Sequence, residues 1–246
     1  MSMFLLINFM WYNNHNNMKK IHRFLLKDEI TSLSRTSEDK DLVHIIRNVL
    51  KIEPGEKCIF FSDGSDDYLS NITEVKKDKI SFDIISTIPK KKIVKNLTAC
   101  ISITKRDTFE LVVQKLTEIG VKTIIPIISE RTIKQSLKIA RLQKISNEAL
   151  EQSGGSNVVY IEEPISLKEA LEKTKNLKSI YFDMEGSKFE KQSENDLAFY
   201  IGPEGGWSEN DLELFEEYKI GSYSLGETVL RAETASIVCG YKLLWD

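Results

Sequence analysis

The sequence predicts a mixed α/β chain in two parts, a small β-rich amino-terminal domain followed by a larger α/β domain built on a mostly parallel sheet. Three observations carry this. Short apolar runs separated by turn residues fill Ile21 to Ile88, the spacing of a compact β domain. Beyond Pro89-Lys90-Lys91-Lys92 the pattern changes to strands alternating with helices, which requires a parallel sheet covered on both faces. Finally, two glycine-bearing loops, Gly202-Pro203-Glu204-Gly205-Gly206 and Leu225-Gly226, each lie between an apolar strand and a helix. The expected boundaries are an extension at 1–17, the β domain at 18–88, a linker at 89–95 and the α/β domain at 96–246.

Composition narrows the class. With 41% hydrophobic and 29% charged residues in 246, the chain can bury a sizeable core and has no signature of disorder or of a fibre. The net charge of −3 excludes a chain that is basic throughout. Residues 18–95 nevertheless carry 16 Lys+Arg against 13 Asp+Glu, and 96–246 carry 18 against 24, so the amino-terminal part is the better partner for a polyanion. Cys58, Cys100 and Cys239 are odd in number and lack CxxC spacing, which predicts free thiols in a reducing, cytoplasmic setting. No metal site is expected, because His15, His22 and His44 all lie near the amino end without cysteines at ligand spacing. Met3 to Tyr12 is apolar but too short to span a bilayer and lacks a basic flank, so no membrane association is expected and the fold is taken to begin at Met18.

Within the first domain, Asp39 to Val49 has apolar residues at Leu42, Ile45, Ile46 and Val49, the spacing of one helical face, with Asp39 or Asp41 near its start. Pro54-Gly55 is a turn. Lys57 to Ser62 is an apolar strand, Asp63-Gly64 a hairpin signal, and Tyr68 to Val75 and Lys79 to Ile85 continue as strands. Strands of this length and spacing suggest a small β-barrel.

In the second domain Leu97 to Thr104 is a strand. Asp107 or Thr108 is expected to cap a helix that turns Phe109, Val112, Val113, Leu116 and Ile119 inward and stops at Gly120. Lys122 to Ser129 is the next strand. A helix from about Ser136 to Gln152 ends at Gly154-Gly155, and Lys134, Lys138, Arg141 and Lys144 are expected on one face of it. Val158 to Ile161 reads as a strand. Ser166 with Glu169 is a capping box that opens a helix through Lys173, and Ser208 with Asp211 is another. Lys178 to Met184, Leu197 to Ile201 and Ser222 to Leu225 supply strands, and a last helix runs from Ala232 to Leu244. In such sheets ligands sit outside the carboxyl ends of the strands, where both glycine loops fall.

The first loop is not GxxxxGK[ST], GxGxxG or GxSxG, which removes the P-loop, the dinucleotide fingerprint and the hydrolase elbow. What remains is a place where a ligand lies against backbone, with Glu204 for a cation and helix N-termini for a carboxylate. S-adenosylmethionine has the required groups; the alternative is that Gly202 to Gly206 is only a tight structural turn.

Ile201-Gly202-Pro203-Glu204-Gly205-Gly206-Trp207-Ser208, then Leu225-Gly226 and Leu230-Arg231-Ala232-Glu233-Thr234-Ala235, closely resemble the bacterial 16S ribosomal RNA methyltransferases of the SPOUT class that act on uridine N3. Lys115 to Val121, Ile124-Ile125-Pro126, Ser129-Glu130-Arg131 and Glu148 to Gly154 match that family in order, as do His22-Arg23-Phe24 and Ser62-Asp63-Gly64. The resemblance implies a PUA-like barrel, a SPOUT domain with a carboxyl-terminal trefoil knot, S-adenosylmethionine as methyl donor, a homodimer, and 16S ribosomal RNA or the small subunit as partner. By motif, Gly202, Glu204, Gly205, Gly206, Leu225, Gly226 and Leu230 would surround the donor, Arg231 would be catalytic, and Arg23, Arg47, Lys105 and Arg131 would touch RNA. Two departures stand out. Gly155 replaces the family's usual Arg after Gln-Ser-Gly, and Lys51 replaces an Arg after Val49-Leu50, where Arg47 can compensate.

Uracil N3 must lose a proton before it attacks a methyl group. A guanidinium against a uracil oxygen would stabilise the resulting anion by about 3 kcal/mol in a dry site, the role expected of Arg231. No His lies in the second domain, so the base would be Glu204, Glu233, a group from another subunit or water. Asp183 and Glu185 are further carboxylates near strand ends. Two other readings stay open: a SPOUT methyltransferase with another RNA target, and a catalytically silent RNA-binding assembly factor.

Overall fold

The computed structural model describes residues 21–90 and 93–245, so the expected extension and part of the linker lie outside the described residues. Packing divides the chain into two compact units. Among the described residues, the first holds those up to Phe24, Ile30–Phe61 and Asp67–Ile88, and the second holds Leu25–Glu29, Ser62–Asp66 and those from Pro89 on. The partition is less simple than one cut near residue 88. Hydrogen bonds explain the Ser62–Asp66 segment: the Asp63 carboxylate accepts from Val158 N at 2.7 Å and from the Tyr160 hydroxyl at 2.9 Å, and Gly64 N donates to Ser156 O at 2.8 Å.

The amino-terminal sheet has the order β1 (His22–Leu25), β3 (Lys57–Phe61), β4 (Asp67–Val75), β5 (Ile80–Ile88), β2 (Ser34–Ser37). The β3–β4, β4–β5 and β5–β2 pairs are antiparallel. Phe60 stacks on Phe82 with centroids 3.9 Å apart, and both are fully buried beside Ile46 and Ile72. Strand β2 was not expected, because Ser34-Arg35-Thr36-Ser37 has no apolar alternation; an edge strand needs only backbone pairing to its single neighbour. Asp39 caps helix α1 (Lys40–His44), its carboxylate accepting from Asp41 N and Leu42 N. The expected continuous helix then widens into a π turn over Ile45–Val49, with Leu50 N donating to Ile45 O, five residues back. The wider turn rotates Val49 outward to 60% exposure, so it does not join Leu42 and Ile46 on the inner face.

The second unit follows the expected alternation: β6 (Asn96–Ser102), α2 (Arg106–Ile119), β7 (Thr123–Ile128), α3 (Ile139–Ser153), β8 (Tyr160–Ile161), β9 (Ile165–Ser166), α4 (Leu167–Thr174), β10 (Lys178–Lys188), β11 (Asp196–Ile201), α5 (Glu209–Glu217), β12 (Gly221–Ser224) and α6 (Ala232–Trp245). Sheet order is β12-β10-β11-β6-β7-β8, with β9 also on β7, and the pairs are parallel. Both faces are covered. Leu97, Ala99, Ile101, Leu197, Phe199 and Ile201 point to the face that carries α2 and α6, while Cys100, Ala198 and Tyr200 alternate to the face with α4 and α5. Strand β11 enters between β10 and β6, which places a reversal of strand order at the middle of the sheet.

Two helix starts differ from expectation. Lys105, not Asp107 or Thr108, is the N-cap of α2 and makes no side-chain cap bond. Helix α3 begins at Ile139, so Lys134 and Lys138 precede it, and Arg141 is engaged by Glu110, its Nε donating at 2.6 Å. The expected basic stripe is therefore broken. Gly120 and Gly154 end their helices in the left-handed region as expected.

Candidate active site

A cavity of about 590 Å³ opens at the carboxyl ends of β6, β11, β10 and β12, at the reversal of strand order where open α/β sheets place ligands. Its walls are the loop after β11, the loop after β12, the Phe182-Asp183-Met184 stretch of β10, and Lys105 with Thr108 at the start of α2.

The loop after β11 is held from several sides. Trp207 folds back over Gly202, where a Cβ would lie 3.0 Å from the indole ring, so the missing side chain makes room for the tryptophan. The indole N–H donates to Phe182 O at 3.0 Å, and the ring packs edge-on against Phe215 and Tyr181. Gly206 N closes a turn onto Pro203 O at 2.9 Å, and Gly206 itself takes φ +70, which a side chain would resist. The loop ends in the expected capping box: Ser208 Oγ accepts from Asp211 N at 3.1 Å and Ser208 N donates to Asp211 Oδ2 at 3.0 Å.

The segment after β7 reaches the same loop. Arg131 Nη1 donates to Gly205 O and to Trp207 O, both at 3.0 Å. Glu130 Oε2 accepts from Ser208 Oγ at 2.7 Å and Asn210 Nδ2 at 2.8 Å, and these bonds, led by that from Ser208, hold its carboxyl below the ordinary carboxylate range.

The loop after β12 is sparsely held. Ser224 Oγ donates to Gly226 O at 3.1 Å, Leu225 packs partly against the core, and Val229 is 81% exposed. Arg231 lies on the lining at the start of α6 and its guanidinium makes no hydrogen bond or ion pair among the described residues; a salt bridge to Glu204 or Glu233, the structural alternative for this arginine, is not formed. All three carboxylates of the lining, Asp183, Glu204 and Glu233, belong to different elements.

Of the residues singled out in the sequence, Gly202, Glu204, Gly206, Leu225, Gly226, Leu230, Arg231 and Lys105 come together on this lining. Gly205 is not on the lining; its backbone rests on Arg131. Arg23 is elsewhere and buried, donating from Nη2 to Asp67 at 2.8 Å with its guanidinium 3.4 Å over the Phe61 ring, so its charge is already matched inside the first unit. Arg47 is exposed on the π turn. Sequence reasoning missed Phe182, Met184, Trp207 and Thr228 on the lining. The strand-end rule pointed at Met184, but only strand order shows that β10 adjoins β11. At Gly155 a Cβ would meet Leu150 Cδ1 at 2.8 Å, and a cation reaches the neighbouring residue instead, Lys90 Nζ donating to Gly154 O at 3.1 Å.

Fold and site define the class: residues 90–243 match the family of RNA methyltransferase domains, and the protein is an RNA methyltransferase. The ribosomal RNA small subunit methyltransferase E of Rickettsia conorii is 30% identical over 228 residues, covering 89% of this chain and 93% of that protein. Its Bacillus subtilis counterpart is 28% identical over 231 residues, covering 85% and 88%. Among solved structures, the Neisseria gonorrhoeae methyltransferase E bound to S-adenosyl methionine superposes with a TM-score of 0.82 at 28% identity, covering 90% of this chain and 95% of that one. The chain belongs to the ribosomal RNA small subunit methyltransferase E family.

Proposed function

We propose that this protein transfers a methyl group from S-adenosylmethionine to N3 of a uridine in 16S ribosomal RNA, position 1498 in the family's target. The observation that carries the proposal is the convergence of both glycine-bearing loops and an unpaired Arg231 on one cavity at the strand ends.

The lining fits the donor. Its volume lies in the usual range for small-molecule sites, Phe182, Met184, Ile201, Leu225 and Leu230 offer apolar surface to an adenine, and carboxylates stand ready for an ammonium. Gly202, Glu204, Gly205, Gly206, Leu225, Gly226 and Leu230 would hold it, Gly205 through the backbone. When bound, the donor supplies an electrophilic methyl group on a sulfonium. The protein's task is then placement of the base and stabilisation of its anion. Arg231, exposed on the lining and unmatched by any carboxylate among the described residues, would meet a uracil oxygen as N3 loses its proton. Lys105 on the lining and the exposed Arg47 would contact phosphates.

The reading carries with it the PUA-like barrel, the trefoil knot, a homodimer and a cytoplasmic location. The apolar exposed side chains Leu111, Tyr241 and Trp245 on α2 and α6 support a partner subunit, and three buried free thiols suit a reducing compartment. No described helix is long and apolar enough to cross a membrane.

The test is to incubate the protein with small ribosomal subunits or 16S RNA and methyl-labelled S-adenosylmethionine, then digest the RNA and identify the product by mass spectrometry. N3-methyluridine is expected. Label on a ribose or another base, or none, overturns the proposal. Sedimentation at micromolar concentration checks the dimer.

A further inference from the structure

We infer that Glu130 and Arg131, the two residues after Ser129 at the end of β7, are positioning residues that set the shape of the Gly202–Ser208 wall; the inference rests on the methyltransferase reading above. The observations concern where their atoms go. Arg131 Nη1 donates to the carbonyls of Gly205 and Trp207, which lie on either side of Gly206, the residue with φ +70. One terminal nitrogen thus ties the two carbonyls flanking the bend, and its two N–H groups, fixed in the guanidinium plane, suit two acceptors. The stem of Arg131 also lies beneath Gly205, its Cβ 3.5 Å from where a Gly205 Cβ would be.

Glu130 holds the other end. Ser208 Oγ donates to Glu130 Oε2 while accepting from Asp211 N, so one hydroxyl links the brace to the cap, and Glu130 N donates to Asp211 Oδ1 at 3.4 Å. Ser208 and Asp211 are buried, so this cycle stands in place of water. The base of the brace is itself fixed: Ser129 is buried, its N–H donates to Thr132 Oγ1 at 2.9 Å, and its hydroxyl lies 3.5 Å from Ser102 Oγ at the end of β6. A wall that follows β11 is therefore held in register by β7, two strands away.

This assigns Arg131 a different duty from a phosphate contact, and the two separate experimentally. R131M keeps the stem and loses the donors; R131K restores donors without the plane. For R131M we expect the Kd and KM for S-adenosylmethionine to rise about tenfold, kcat at saturating donor to stay within about threefold, and the salt slope of RNA binding to stay unchanged. R131K should recover part of the donor affinity. Amide exchange over 203–208 should quicken in R131M without any ligand, and E130A should show the same change, smaller. Weaker RNA binding with a reduced salt slope and an unaltered donor Kd overturns the inference in favour of a phosphate contact. So does unchanged exchange over 203–208. If the wild-type protein binds no donor, the methyltransferase reading fails, and the exchange measurement alone decides the brace.

Discussion

The loop from Gly202 to Ser208 and the loop from Leu225 to Arg231 line one cavity, yet they differ in what fixes their backbones. The first has a buried tryptophan seated on a glycine, a closed turn, a capping box and two side chains reaching it from the segment after β7. The second has a serine bonded to its own glycine and an apolar tip in solvent, and a Cβ on Gly226 would meet nothing within 4 Å. Both look alike in the sequence as glycine between a strand and a helix. One wall is thus set by folding alone, and the other has few contacts of its own.

The largest effect should fall on the packed wall. Trp207→Ala removes a buried ring and the bond to Phe182 O, and should cost about 3–5 kcal/mol in denaturant unfolding. A loss below about 1 kcal/mol would mean that the first loop is no better fixed than the second, and the comparison would break.

Arg231→Met comes next and probes the open wall through chemistry. The side chain is exposed and unmatched among the described residues, so thermal stability and donor binding should stay unchanged while single-turnover methylation slows by about 100- to 1,000-fold. A normal rate in a protein that still binds donor and RNA would remove Arg231 from the reaction.

What was legible in the sequence was what local side-chain chemistry decides. Gly120 and Gly154 end helices because only a residue tolerant of positive φ fits there, and Ser166–Glu169 and Ser208–Asp211 start them because the bonds are made within four residues. Illegible features depend on distant partners. Val49 turned outward because the helix widened to a π turn, and Lys134 and Lys138 fell off α3 because it starts late. Arg23, which the resemblance assigns to RNA, is buried against Asp67, 44 residues away, a pairing that no local pattern encodes. Gly202 lies on the cavity lining, but the space its missing side chain leaves is filled by Trp207, five residues on but folded back. That Phe182 and Met184 line the cavity follows from strand order, which periodicity does not encode.

A smaller and more local effect is expected at the cap. Ser208→Ala removes the acceptor for Asp211 N and the donor to Glu130, and should cost about 1 kcal/mol. The pH dependence of the Glu130 brace sharpens this. Its carboxyl titrates below the ordinary range in the folded protein, so its contribution is present above that range and disappears as pH falls through the lowered value. The stability difference between wild type and E130A should therefore hold steady from neutral pH to the ordinary carboxylate range and close in more acid solution. A gap that stays open at the acid end would show that Glu130 acts by packing and not by charge.

The smallest effect should come from the tip of the open wall. Val229 lies on the cavity lining yet is 81% exposed, so Val229→Ser takes almost nothing from the fold and should shift unfolding by less than about 0.5 kcal/mol. Its methyl groups are left in solvent by the described chain and would be desolvated by a ligand that covers them in the cavity. The same change should therefore weaken ligand binding, by up to about 1.5 kcal/mol if the side chain becomes fully covered. A fold-stability loss as large as that of Ser208→Ala would show that the second loop packs in solution, and the difference between the two walls would vanish.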